Sequence, residues 1–197
     1  MIQYRRMAHS PAGLRRSGLG AALLLAACQH APADTSPQPA TVTADKVWFL
    51  EASGTPVADS AVTFAAAEGR VVVMRHLPPD DAMFVVLQFP PSVDPARAHD
   101  TVHVTIRPTA GAYGFLLTTS DRLPSGTQAT FSYAVHFQTP LDAAVKYPSP
   151  GRFELLVIPA LLGPDRRVQF LAGLRPAADM LRFPVAIAGS YALVVPR

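Results

Sequence analysis

The chain has 197 residues, 49% hydrophobic and 16% charged, a balance that supports a packed globule and excludes a wholly disordered polymer. Its formal charge is +3, but Arg5, Arg6, Arg15 and Arg16 all fall in the first 27 residues. The rest carries 13 basic against 14 acidic side chains, so no basic surface points to nucleic acid, and the single cysteine, Cys28, excludes an internal disulfide framework.

In chain order, the first feature is the apolar run at 18–27, "GLGAALLLAA", behind the two arginine pairs and with no acidic residue before Asp34. Such a run has the length of a signal-peptide core and is too short to span a bilayer as a helix, which takes about 20 apolar residues. It ends in Leu25-Ala26-Ala27-Cys28, a tetrad that resembles the lipobox of bacterial lipoproteins. The resemblance implies that residues 1–27 are a signal peptide removed on export, that the Cys28 sulfur receives a diacylglyceryl group, and that the new amino end is acylated. Each buried methylene contributes about 0.8 kcal/mol, so several chains on one cysteine hold where one holds marginally. Gln29 stands where an aspartate would, in enteric lipoproteins, retain the chain in the inner membrane, which points to the outer membrane. Residues 28–45 then read as the lipidated N-terminus and a Pro- and Ala-rich disordered linker.

From residue 46 the texture changes to short β-rich runs separated by Gly, Pro and Asp turns every 10–15 residues. Strands are expected over 46–52, 61–67, 70–75, 83–89, 101–107, 113–120, 128–137, 152–159, 166–173, 181–188 and 190–196. In "TVHVTIR", Val102, Val104 and Ile106 share one face against Thr101, His103, Thr105 and Arg107, one dry side and one wet side. Phe131, Tyr133, Val135 and Phe137 align in the same way in 128–137, with His136 on the wet side. Val71 to Val73 and Val85 to Leu87 read as doubly buried central strands. Twenty prolines and the lack of any long 3.6-residue period exclude a helical fold; the one helix candidate is 140–147, as a single turn. The predicted architecture is therefore all-β, an antiparallel Ig-like β-sandwich over residues 46–197.

The order of these runs resembles a ZU5 domain. The carrying segments are "GRVVVMRHLPPDDAMFVVLQFPPSVDPARAHDTVHVTIRP" (69–108), with its apolar strand, Pro90-Pro91 bend and following strand, then 112–137, and the closing 166–196 with "GSYALV". The likeness covers about 125 residues. It departs at Ser92, where the family has a glycine after the bend. Some members cut themselves at His-Phe-Ser; aligned on Tyr191, those places hold Ile187, Ala188 and Gly189. Self-cleavage needs a nucleophile beside a base, so none is expected here. The resemblance implies a rigid sandwich used in adhesion, scaffolding or protein contact.

Motifs that would carry chemistry are sparse. His99, Asp100 and His103 form a local cluster, but on an extended strand two histidines four residues apart stand roughly 13 Å from each other, too far for one ion whose ligands sit about 2.0–2.1 Å away. His76 reads as loop surface beside the Pro78-Pro79 turn, and Asp80-Asp81 as turn caps, a single acidic pair being too little for calcium. Ser125 before Gly126 reads as a hairpin turn. No nucleophile elbow, Walker loop or dinucleotide loop occurs, so no catalytic residue, metal or cofactor is expected. Trp48 reads first as core; facing outward it would stack on a sugar or a partner. Leu161 and Leu162 in "PALLGP" (159–164) read as exposed loop leucines, a contact patch or a segment tucked beneath the sandwich.

The whole reads as a lipoprotein anchored in the bacterial outer membrane, on its periplasmic or surface face. Its sandwich is expected to act as a non-enzymatic binding or structural module toward protein or glycan. The competing readings are an envelope hydrolase with an unrecognised site and an assembly factor.

Overall fold

The computed structural model describes residues 40–133 and 136–197; the apolar run and Cys28 lie outside the described residues. The strands begin with β1 (Thr41–Thr43), β2 (Val47–Phe49), β3 (Glu51–Ala52), β4 (Ser60–Ala65) and β5 (Arg70–Arg75). They continue with β6 (Met83–Phe89), β7 (Thr101–Pro108), β8 (Gly114–Thr119), β9 (Gln128–Ser132) and β10 (Phe137–Gln138). Two helices, α1 (Leu141–Lys146) and α2 (Pro150–Leu155), precede β11 (Ile158–Leu162), β12 (Arg167–Phe170), β13 (Leu174–Ala177), β14 (Met180–Pro184) and β15 (Gly189–Pro196). None of the described helices is long and apolar enough to cross a membrane.

One sheet runs β1-β12-β11-β15-β8-β7-β4, with β2 on the far half of β15, and a second runs β13-β14-β9-β6-β5. Neighbouring strands pair antiparallel. Alternation decides what each strand buries. Val102, Val104 and Ile106 of β7 are buried, while Thr101, His103 and Arg107 are exposed. From the second sheet, Val85, Leu87, Phe89, Phe131 and Phe183 enter the same core. Aromatic rings bridge the two layers: Phe64 to Phe89 at 5.4 Å, Phe115 to Phe131 at 5.6 Å and Tyr191 to Phe183 at 5.9 Å between centroids. The fold is thus the mostly-β antiparallel sandwich that the alternation and turn spacing predict. The Tyr191 hydroxyl donates to the Ile187 carbonyl at 2.7 Å, tying the entry of β15 to its own strand, as tyrosine corners do in sandwiches.

A second, smaller core lies on the other face of β15. Tyr191, Leu193 and Val195 face the main core, whereas Ala192 and Val194 pack with Val47, Ala160 and Val168. The ladder β2-β15-β11-β12-β1 is continuous, and a 3₁₀ turn at Ala44–Lys46 ties β1 to β2. The five strands therefore curl around these side chains. This accounts for the unbroken apolar run "YALVV": a strand buried on both faces loses its polar alternation. Residues 41–43, inside the segment read as linker, are β1 itself, so ordered pairing starts earlier than residue 46.

Other segments also depart from expectation. Residues 152–159 are not a strand: Pro150 opens α2, Phe153 is buried against Trp48 and Tyr147, and β11 begins only at Ile158. A short apolar run has no period that separates a buried helical turn from a strand, and a proline at the first helical turn decided the matter. "PALLGP" is not a loop; Leu161 and Leu162 sit in β11, half-buried, the first against the main core and the second against the smaller one. β5 is an edge strand and is buried on one face alone: Val71 and Val73 turn to the outer face, 57% and 47% exposed, while Val72 and Met74 turn inward. Residues 128–137 break after Ser132, and His136 occupies a turn before β10. The segment around Ser125 and Gly126 crosses from one sheet to the other rather than closing a hairpin, because β8 and β9 belong to different sheets.

Candidate metal centre

Three side chains that looked unrelated in sequence converge where the β5–β6 loop meets the turn before β10. His76 follows β5 directly and forms an isolated antiparallel bridge with Val57. This draws the 53–57 segment onto the loop that follows, with the Leu77 amide donating to the Pro56 carbonyl at 2.8 Å. His76 is 3% exposed, not loop surface as its proline neighbours suggest, and its ring stands edge-on to Phe84 at 5.7 Å. The His136 ring lies 4.5 Å from it, centroid to centroid. Asp80 completes the group, its Oδ2 3.6 Å from His136 Nε2. One ligand-capable atom from each of the three lies within 4.8 Å of the other two.

The short segment Ser53–Gly54–Thr55 orients all three. The Thr55 amide donates to Asp80 Oδ2 at 2.9 Å, and the Thr55 carbonyl meets His76 Nδ1 at 2.6 Å. A carbonyl only accepts, so Nδ1 carries the proton, and in the neutral ring Nε2 is then the acceptor nitrogen. The His136 carbonyl accepts from the Ser53 amide at 2.6 Å and the Ser53 hydroxyl at 2.8 Å. Gly54, at φ +90°, lets the His136 ring lie against bare backbone: a Cβ there would come within 2.6 Å of Nδ1. The Thr55 amide holds the Asp80 carboxyl below its ordinary value, with the facing imidazoles adding to the effect.

The Nε2 atoms of His76 and His136 are buried without a hydrogen-bond partner among the described residues. A buried polar atom left unpaired costs about 1–3 kcal/mol. The His136–Asp80 separation of 3.6 Å is too long for a hydrogen bond, yet close to the roughly 3.3–3.4 Å between ligand atoms on a tetrahedral ion with bonds of about 2.0–2.1 Å. Beside the group, His76, Phe84, Gly54, Pro56 and Thr109 help line a cavity of about 360 Å³.

The residues singled out from sequence are dispersed. Trp48 is 7% exposed and belongs to the main core, packed by Tyr147 and Phe153 and donating from Nε1 to Asp142. The core reading of this residue therefore holds, and no free ring face remains for a partner. His99 and His103 are exposed, and His103 pairs through Nδ1 with the Thr63 hydroxyl at 2.8 Å. Asp100 instead pairs with Arg97 at 3.0 Å. Sequence reasoning misses this centre, since it reads His76 as loop surface and Asp80 as a turn cap; the one local signal that could have found it is the His76-to-Asp80 spacing around Pro78-Pro79, and its third member, far along the chain, is joined only by the tertiary fold. Comparison with protein-family models, with curated proteins and with solved structures finds no match for this chain.

Proposed function

We propose that this chain is an envelope lipoprotein whose sandwich works as a non-enzymatic binding or structural module, held at the outer membrane through lipid on Cys28. The observation that carries the reading is the apolar run at 18–27 closing on Leu25-Ala26-Ala27-Cys28 behind two arginine pairs. The absence of other cysteines supports it, since the one thiol stands where lipid would attach. A contact role is supported by the groove of about 560 Å³ bordered by Pro90, Pro91, Arg97, Arg122 and Pro124. Beside it Val93 is 94% exposed, an apolar side chain offered to solvent in a polar rim. Kinship with ZU5 modules is part of the same proposal, resting on the strand order over 69–108 and 166–196.

Mass spectrometry of the chain purified from its native host tests the reading. The expected product begins at Cys28 with a diacylglyceryl thioether, and Cys28→Ser abolishes processing and membrane retention. A freely soluble chain that keeps its first 27 residues and an unmodified thiol overturns it. Crosslinking in intact cells with the lipidated form should then capture an envelope protein or glycan.

A further inference from the structure

We infer that His76, Asp80 and His136 form a binding site for a divalent transition ion of the zinc class, with a fourth position left to water or an outside donor. The donor set is two imidazole nitrogens and one carboxylate oxygen. Such a set suits Zn²⁺, Co²⁺, Ni²⁺ or Cu²⁺, whereas Ca²⁺ and Mg²⁺ take oxygen ligands. The Nε2 of His76 is buried and unpartnered among the described residues, and His76, Asp80 and His136 each bring one ligand-capable atom within 4.8 Å of the other two. The other ring nitrogen of His76 is tied to the Thr55 carbonyl, the outer hydrogen bond that metal-ligating histidines characteristically make. Because Thr55 also holds Asp80 through its amide, two ligands are aimed by one residue before any ion arrives. Asp80 and His136 stand 3.6 Å apart without forming a hydrogen bond, so an ion between them replaces only that long contact. The three atoms, up to 4.8 Å apart, need to close by up to about 1.5 Å to match tetrahedral spacing.

The test uses the full chain in detergent, titrated with Co²⁺ and then Zn²⁺. One Co²⁺ per chain should bind with the visible ligand-field bands of a four-coordinate ion, and Zn²⁺ should bleach them. His136→Ala and Asp80→Asn, at the more open side of the group, should each weaken Zn²⁺ binding by about 100-fold, the upper end of what even the outer partners of a ligand cost. A His99→Ala/His103→Ala chain should bind as the wild type does. Absence of ion binding to the folded wild type overturns the site, as does affinity unchanged in folded His136→Ala and Asp80→Asn chains. Where these variants fail to fold, X-ray absorption of the Zn²⁺-loaded wild type decides: two imidazoles at about 2.0–2.1 Å uphold it and an all-oxygen shell overturns it. None of these outcomes depends on lipid at Cys28, so the site and the envelope reading stand or fall separately.

Discussion

The indole Nε1 of Trp48 donates to Asp142 Oδ2 at 2.8 Å, joining β2 to the first turn of α1. Arg197 closes the arrangement, with its guanidinium 3.0 Å from Asp142 and 5.0 Å from the centre of the indole. The Asp142 carboxyl is held below its ordinary value, first by the Trp48 hydrogen bond and then by Arg197. A carboxylate whose pKa is lower folded than unfolded contributes stability above the unfolded value and loses it as pH falls through the folded one. The Tm difference between wild type and Asp142→Asn is therefore expected to be full at neutral pH and to close as acid takes the solution below the ordinary value of 3.8. A gap of constant size from neutral pH into strong acid contradicts the assignment.

Arg175 stitches the β13–β14 hairpin to α2. Its Nη2 donates to the carbonyls of Glu154 at 2.9 Å and Val157 at 2.7 Å, and its Nη1 donates to the Tyr133 hydroxyl. The Glu154 carbonyl sits in the last turn of α2, where it also accepts from the Val157 amide at 3.1 Å, and Val157 follows the helix, so the guanidinium clamps the helix end and its exit to the hairpin. Arg175→Ala should cost about 1.5–3 kcal/mol in a denaturant titration, the range for hydrogen bonds to a charged group. Arg175→Lys should recover little, because one ammonium cannot spread its donors over this fork.

Phe131 is fully buried and meets Phe84, Tyr113, Phe115 and Phe183 between the layers. Truncation to alanine leaves a cavity that rings on both sides cannot fill. The expected loss is about 3–5 kcal/mol, read as a lower denaturation midpoint at unchanged slope.

The edge position of β5 makes a contrast between adjacent valines. Val73→Lys lies on the exposed side and should change stability by no more than about 0.5 kcal/mol, while lowering aggregation by blunting an open strand edge. Val72→Ala, one residue away and 6% exposed, should cost more, because it empties core space. Equal effects at the two positions would mean that Val73 is covered like Val72 and contradict its outward placement.

Sequence reading found most strands because alternation is local. "TVHVTIR" states its own buried face, and the limits of β5 and β6 follow from the turn residues around them. It failed where partners decide. Val71 and Val73 resemble a doubly buried strand until the two-layer packing leaves the outer face of β5 uncovered. Leu161 and Leu162 look like a sticky loop until β15 and β12 pair on either side of them. "RFELLV" could have continued as strand or helix; Pro150 opens a helical turn, and the packing of Phe153 beside Trp48 holds it.

What the amino-acid order determined by itself is the periodic part: a dry face on each strand, turns that limit their lengths, and so a sandwich of antiparallel sheets. Which distant residues share a site was left to the packing of the folded chain. His76 and Asp80 are joined by one loop, but His136 reaches them through the turn before β10 and the glycine at position 54 that gives its ring room. Periodicity records burial residue by residue, because each side chain is in or out of water locally. A constellation of ligands records the closure of loops drawn from separate stretches of chain, and no local pattern encodes that.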